Sequence, residues 1–154
     1  MIGLGTLVGL PVVIGGEKAG LVEMGVLTQS GDELLGLVIR KGLRGAKWLK
    51  KDQILSLGGV CVLAQGKPGR LPSQLPWGPG PVWDTCGLRL GRVTEVYLEG
   101  MRTAALEISL GPWEDWRFGR MVARTYTLIP QERGMKVLTP LDALLRKEEF
   151  DGSR

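Results

Sequence analysis

A stretch of turn glycines and apolar residues recurs 71 positions further on, and this repeat constrains the fold more tightly than anything in the composition. Gly16-Glu17-Lys18-Ala19-Gly20-Leu21-Val22 reads onto Gly87-Leu88-Arg89-Leu90-Gly91-Arg92-Val93, and the same offset carries Leu35 onto Leu106 and Leu37 onto Ile108. Two copies within 154 residues must each be small. A unit of about 60 to 70 residues buries only about 60% of its unfolded surface, so the copies are expected to pack as a fixed pair. Tandem copies without a catalytic constellation suggest a scaffold or docking protein rather than an enzyme.

The 24 glycines and 9 prolines punctuate short runs of Val, Ile and Leu, the pattern of an all-β chain rich in turns. The first copy reads as a meander. Strands are expected from Leu7 to Ile14, Ala19 to Thr28 and Leu34 to Ile39, then as short elements at Lys47 to Leu49 and Gln53 to Leu57, closing with Val60 to Ala64. Gly15-Gly16 and Ser30-Gly31 suit tight hairpins because glycine accepts positive φ. Closure of such a sheet into a small barrel solves the burial problem that short strands leave.

Residues 66–81 hold five of the nine prolines and read as a stiff linker, with Trp77 expected to pack back onto a barrel. Pro76-Trp77-Gly78-Pro79 also has the spacing of a ligand for an aromatic groove. The second copy, residues 82–138, keeps strands at Arg89 to Leu98 and Thr103 to Leu110. It then drifts, with Trp113-Glu114-Asp115-Trp116 near the place of the first copy's basic loop and strands at Met121 to Ile129 and Met135 to Leu138 around Arg133-Gly134. In residues 139–154 the period changes. Thr139 as N-cap, Pro140 at N1 and Leu141, Leu144 and Leu145 on one face predict a short C-terminal α-helix that plugs the second barrel. The glycines of Gly3 to Gly9 read as terminal flexibility and turns.

Leu7-Val8-Gly9-Leu10-Pro11-Val12-Val13 with Gly20-Leu21-Val22, Leu35-Gly36-Leu37-Val38-Ile39 and Ile54-Leu55-Ser56-Leu57-Gly58 together resemble the PRC-barrel family. That family includes the cytoplasmic part of the photosynthetic reaction-centre H subunit and the C-terminal half of a ribosome-maturation factor. The likeness spans residues 6 to 64 in order and spacing, and the first half of the pattern recurs at Asp84 to Val93 and Thr103 to Leu110. It implies two small PRC-type barrels in tandem, residues 1–65 and 82–138, each of six strands. Functionally it implies docking onto a larger assembly, and it offers no active site to transfer.

The chain has no histidine, which removes the usual general base and metal ligand along with Ser-His-Asp and Cys-His catalysis. The glycines of Gly3 to Gly9 miss the spacing of a dinucleotide or phosphate loop. No catalytic residue, cofactor or metal site is therefore assigned. Cys61 and Cys86 are too few for a disulfide framework, with Cys61 expected as a buried thiol in an apolar run. No membrane-spanning run or secretory leader is read, and a cytoplasmic location is expected.

Charge is the one asymmetry. Residues 1–75 carry nine Lys or Arg against five Asp or Glu, whereas residues 76–154 carry eleven of each. Arg40, Lys41, Arg44, Lys47, Lys50 and Lys51 crowd one loop with no intervening acid, and Trp48 is embedded among them. These seven residues form the candidate partner-binding site. The leading expectation is a non-catalytic adaptor that docks on a protein or ribonucleoprotein assembly. The alternative is RNA or DNA held by the same cations with Trp48 stacking a base. An anionic lipid surface, met peripherally, is a further partner of matching charge. Against all three stands a solvated loop with Trp48 turned into the core.

Overall fold

Glycine pairs and short polar turns break the chain into strands too brief to stand alone, and they assemble into two antiparallel-dominated sheets. The computed structural model describes residues 1–76, 79–132 and 134–152. In the first half the strands are β1 (Ile2–Gly3), β2 (Pro11–Ile14), β3 (Glu17–Leu27), β4 (Leu34–Arg40), β5 (Ala46–Lys50), β6 (Ile54–Leu57) and β7 (Val62–Ala64). In the second they are β8 (Pro79–Trp83), β9 (Arg89–Glu99), β10 (Arg102–Ser109), β11 (Met121–Ala123), β12 (Thr127–Gln131), β13 (Gly134–Leu138) and β14 (Leu145–Arg146). Helix α1 (Pro112–Phe118) joins β10 to β11, and helix α2 (Lys147–Gly152) follows β14. The chain is mostly β, with a curled half-barrel sheet and a short C-terminal helix.

The two sheets repeat one strand order. The first runs β5-β4-β3-β2-β7-β6, and the second, read from the same end, runs β11-β10-β9-β8-β13-β12 with β14 added beyond β11. In both, the opening strand pairs parallel with the last: Val12 lies opposite Val62 and Val82 opposite Val137. The irregularities repeat as well. Ala19 and Leu90 are each left unpaired by a bulge in the first hairpin, Glu23 and Thr94 in the next strand pair, and Leu35 and Ala104 on the strand that answers it. Bulges bend and twist a strand pair, so matched bulges give matched curvature.

The register corrects part of the offset read from the sequence. Gly16 and Gly87 do occupy matching hairpins, but Leu37 rather than Leu35 corresponds to Leu106, and Ile39 rather than Leu37 to Ile108. The cause is loop length. The β3–β4 connection spans Thr28 to Glu33, whereas the β9–β10 connection turns tightly through Gly100 and Met101, two residues shorter between matching pairs. In the longer turn, hydrogen bonds from Ser30 and Thr28 hold the Asp32 carboxyl below the usual carboxylate range.

The inner faces of both sheets share a single core that includes Val12, Leu27, Leu37, Ile39, Leu49 and Val62 from the first half and Val82, Leu98, Leu106, Ile108 and Val137 from the second. The expected flexible glycines at the N-terminus are instead part of this junction. Ile2 and Gly3 pair with Leu98 and Tyr97, Leu7 is fully buried, and the Gly5 N–H donates to Glu95 Oε1 at 2.8 Å. The turns meet across the halves too: the Leu34 N–H donates to the Met101 carbonyl and the Thr103 N–H to the Asp32 carbonyl.

Each outer face is covered by the chain that follows its own sheet. In the first half, Val26, Val38 and Trp48 form a cluster against which Leu71 and Leu75 pack, and Gly69 bridges to Trp48 through paired backbone hydrogen bonds of 2.8 and 2.9 Å. Residues read as a stiff linker thus strap the sheet, and the strand β8 begins inside that segment at Pro79. Trp77 and the turn residue Arg133 lie outside the described residues.

In the second half the same face carries Tyr97, Ala105 and Val122, covered by Phe150. Leu145 pairs with Val122, as Gly69 does with Trp48. The expected helix from Thr139 is therefore corrected. Leu141–Ala143 forms a 3-10 turn, Leu145–Arg146 a strand, and only Lys147–Gly152 an α-helix, because pairing with β11 and burial of Phe150 outweigh local helix signals. Thr139 is buried, and its hydroxyl donates to the Thr125 carbonyl. The helix lies on the outer face rather than in a barrel mouth. Lys147 fixes it by donating to Tyr97 Oη, and it also donates along the helix to Asp151 Oδ1; partial burial lowers the Lys147 pKa, but these bonds outweigh it and leave the group above its ordinary value.

Candidate functional site

The cationic residues sit on and around the β4–β5 hairpin. Arg40 ends β4, Lys41 and Arg44 close the turn through an Arg44 N–H to Lys41 carbonyl bond of 3.2 Å, and Lys47 lies on β5 opposite Ile39. Gly42 and Gly45 have φ of +57° and +80°, a left-handed geometry that lets the tip reverse so sharply. At its apex Leu43 is fully exposed.

The structure does not gather all six cations into one loop. Strand β5 separates Lys47 from Lys51 by about 13 Å of extended chain. Lys50 and Lys51 lie at the far end, where the Lys50 N–H donates to Gln53 Oε1 and Lys51 Nζ bonds Glu33 Oε2 at 2.6 Å. Arg40 is also neutralised, by Glu23 at 3.3 Å. Among the described residues Lys41, Arg44, Lys47 and Lys50 have no carboxylate within salt-bridge distance. Of these four, Lys41, Arg44 and Lys47 share the hairpin tip, and Lys50 stands alone at the far end of β5.

Trp48 does not present its ring to a partner. Alternation along β5 turns it to the outer face, where it is 6% exposed and packed with Val26, Val38 and the strap residues Leu71 and Leu75. Gly36 makes the room: a Cβ there would lie 2.5 Å from the indole Cζ2. The matching pair in the second half is Ala105 and Val122, so a larger residue on one strand accompanies a smaller one on the next. The Trp48 ring thus packs beneath the strap, on the outer face of the sheet.

The second half places something different at the corresponding connection. Helix α1 follows Gly111, with Pro112 at its first turn, and Asp115 ties it down by accepting from Ser109 Oγ at 2.5 Å and the Leu110 N–H at 3.1 Å. Arg120 reaches both Asp115, at 3.7 Å, and the buried Glu107, at 3.9 Å. No residue of α1 is buried, and Trp113 and Trp116 are 64% and 77% exposed. This aromatic surface was missed in the sequence, although Gly111-Pro112 ahead of two acids is a helix-start signal. The antiparallel bridge between Glu33 and Arg102 makes β4 and β10 leave their shared turn region in opposite directions, one leading to the cationic tip and the other to α1.

Other groups offer little chemistry. A cleft of about 310 Å³ between the halves is lined by apolar side chains such as Leu4, Val8, Met24 and Val93, and its carboxylate, Glu95, accepts the Gly5 and Val96 N–H groups. Cys61 is half-buried rather than buried, and Cys86 is exposed. Among the described residues no cluster of three or more Cys, Asp or Glu is placed to hold a metal ion, and no helix is long and apolar enough to cross a membrane. Comparison with protein-family models and with curated proteins finds no match.

Proposed function

We propose that the chain is a non-catalytic docking protein of two tandem PRC-type barrels, residues 1–65 and 82–138, that engages a protein or ribonucleoprotein assembly through its cationic hairpin tip. The observation that carries this reading is the tip itself: Lys41, Arg44 and Lys47 without ion-pair partners among the described residues, around a fully exposed Leu43, on a hairpin anchored by the buried β4. A rigid, cationic projection with an apolar apex suits an acidic partner surface with a small apolar recess. The repeated strand order and repeated bulges support the tandem-barrel assignment, since both halves curl by the same device. A cytoplasmic setting, in which Cys61 and Cys86 stay reduced, belongs to the same proposal.

Direct binding of RNA or DNA is the second reading, favoured by the same free cations but weakened by the burial of Trp48, which leaves the tip without a stacking platform. Gel retardation separates the two. The docking reading expects no retarded single-stranded RNA or duplex DNA even at low salt. Retardation whose log K falls by about 0.7 to 0.9 per neutralised phosphate as salt rises would establish nucleic acid as the partner instead.

A further inference from the structure

We propose that helix α1 docks the protein peripherally on an anionic phospholipid bilayer, with Trp113, Trp116 and Phe118 entering the interfacial zone and Arg89, Arg92 and Arg117 meeting the headgroups. The apolar side chains of a surface helix ordinarily face the core, and here they face solvent: Trp113 and Trp116 stand one turn apart with ring centroids 5.3 Å apart, and Phe118 is also exposed. Such a display costs solubility unless something covers it. The helix is nevertheless firmly placed, because Asp115 and Arg120 bolt it to Ser109, Leu110 and Glu107 on the strand below.

Charge around it favours a negatively charged, laterally extended occupant. Arg89 and Arg92 are exposed and share a cleft with Pro112, Asp115 and Arg120, and Arg117 lies over the Phe118 ring at 5.0 Å. Of the two acids on the helix, Asp115 is spent on Ser109, Leu110 and Arg120, leaving Glu114 against three arginines. Tryptophan rings with one apolar body and one N–H settle at the boundary between headgroups and acyl chains, and arginines beside them reach phosphate while their stems stay apolar.

The test is co-sedimentation with phosphatidylcholine–phosphatidylglycerol vesicles and with phosphatidylcholine vesicles, using the wild type, Trp113→Ala with Trp116→Ala, Arg89→Ala with Arg92→Ala, and Lys41, Arg44 and Lys47 all replaced by Ala. The wild type should bind the anionic vesicles, and brominated lipid should quench its tryptophan fluorescence. The double tryptophan variant should lose about tenfold or more in partitioning with its melting temperature unchanged, since it removes no buried side chain. The double arginine variant should lose binding to anionic vesicles while changing little on neutral ones. Wild type that stays in the supernatant overturns the proposal, as does a double tryptophan variant that binds like wild type. Vesicle binding lost only in the hairpin variant would move the contact to the cationic tip and also overturn it. So would analytical ultracentrifugation showing that the tryptophan changes convert a dimer to a monomer without vesicle binding, which assigns the surface to a second copy.

Discussion

Alanine at Gly91 should cost the chain about 3 kcal/mol of stability in a urea titration. A Cβ built on Gly91 would lie 1.9 Å from the Ser109 carbonyl oxygen and 2.9 Å from its carbon, and both are backbone atoms of the paired strand that no side-chain rotation can move. At Gly20 the corresponding neighbour is the Arg40 carbonyl oxygen at 2.9 Å, a smaller overlap joined there by a φ of +158° that side chains rarely adopt. Arg40 and Ser109 pair with Leu21 and Arg92 in the two sheets, so the repeated glycine meets the equivalent carbonyl each time. The glycine recurs because two strands pass too close for a side chain beside a bulge, a packing reason and not a functional one. A Gly91→Ala protein within about 0.5 kcal/mol of wild type would mean that this close approach does not exist.

Trp48→Ala should lower stability by about 3 to 5 kcal/mol, the range for emptying a large aromatic site in a core. The ring fills the space over Gly36 between Val26, Val38 and the strap, and little else could collapse into it because the strap is held by the Gly69 hydrogen bonds on the same strand. Leu71 and Leu75 would lose their floor at the same time. Thermal or chemical denaturation reads the loss directly. An alanine variant as stable as wild type but deficient in partner binding would return Trp48 to the recognition surface and refute its packing role.

Much of this fold was legible as alternating apolar residues bounded by glycine turns. Strands β3, β4, β5, β9 and β10 fall where the pattern puts them within a residue or two. What the pattern could not supply was register. A slip of two residues keeps every side chain on its own face of a sheet, so Leu35 and Leu37 are equally good matches for Leu106 until the turn length decides. Coverage of the outer faces was also hidden, since Leu71 and Leu75 are isolated apolar residues in a segment without a period and Phe150 lies off the leucine face read in its own segment. At the site, composition found the cations but not their grouping. Only the placement of β5 between Lys47 and Lys51, and of Glu23 and Glu33 beside Arg40 and Lys51, separates the tip trio from the neutralised Arg40 and Lys51 and from Lys50 at the far end of the strand. The aromatics of α1 lay in the sequence with a helical spacing of three, overshadowed by the neighbouring acids.

The functional reading stands or falls on the hairpin tip, and one comparison addresses it directly. Wild type and the Lys41, Arg44 and Lys47 triple alanine variant are immobilised side by side, the proteins and ribonucleoproteins retained by each are identified, and the affinity of any shared partner is measured at several salt concentrations. Exposed charges on this turn contribute within about 0.5 kcal/mol each, so the variant should melt close to wild type. It should nonetheless bind the partner of the wild type more weakly by about tenfold or more, with a shallower dependence on salt. A triple variant that retains every partner of the wild type at unchanged affinity would show that the cationic tip is ordinary solvated surface and contradict the proposed docking role.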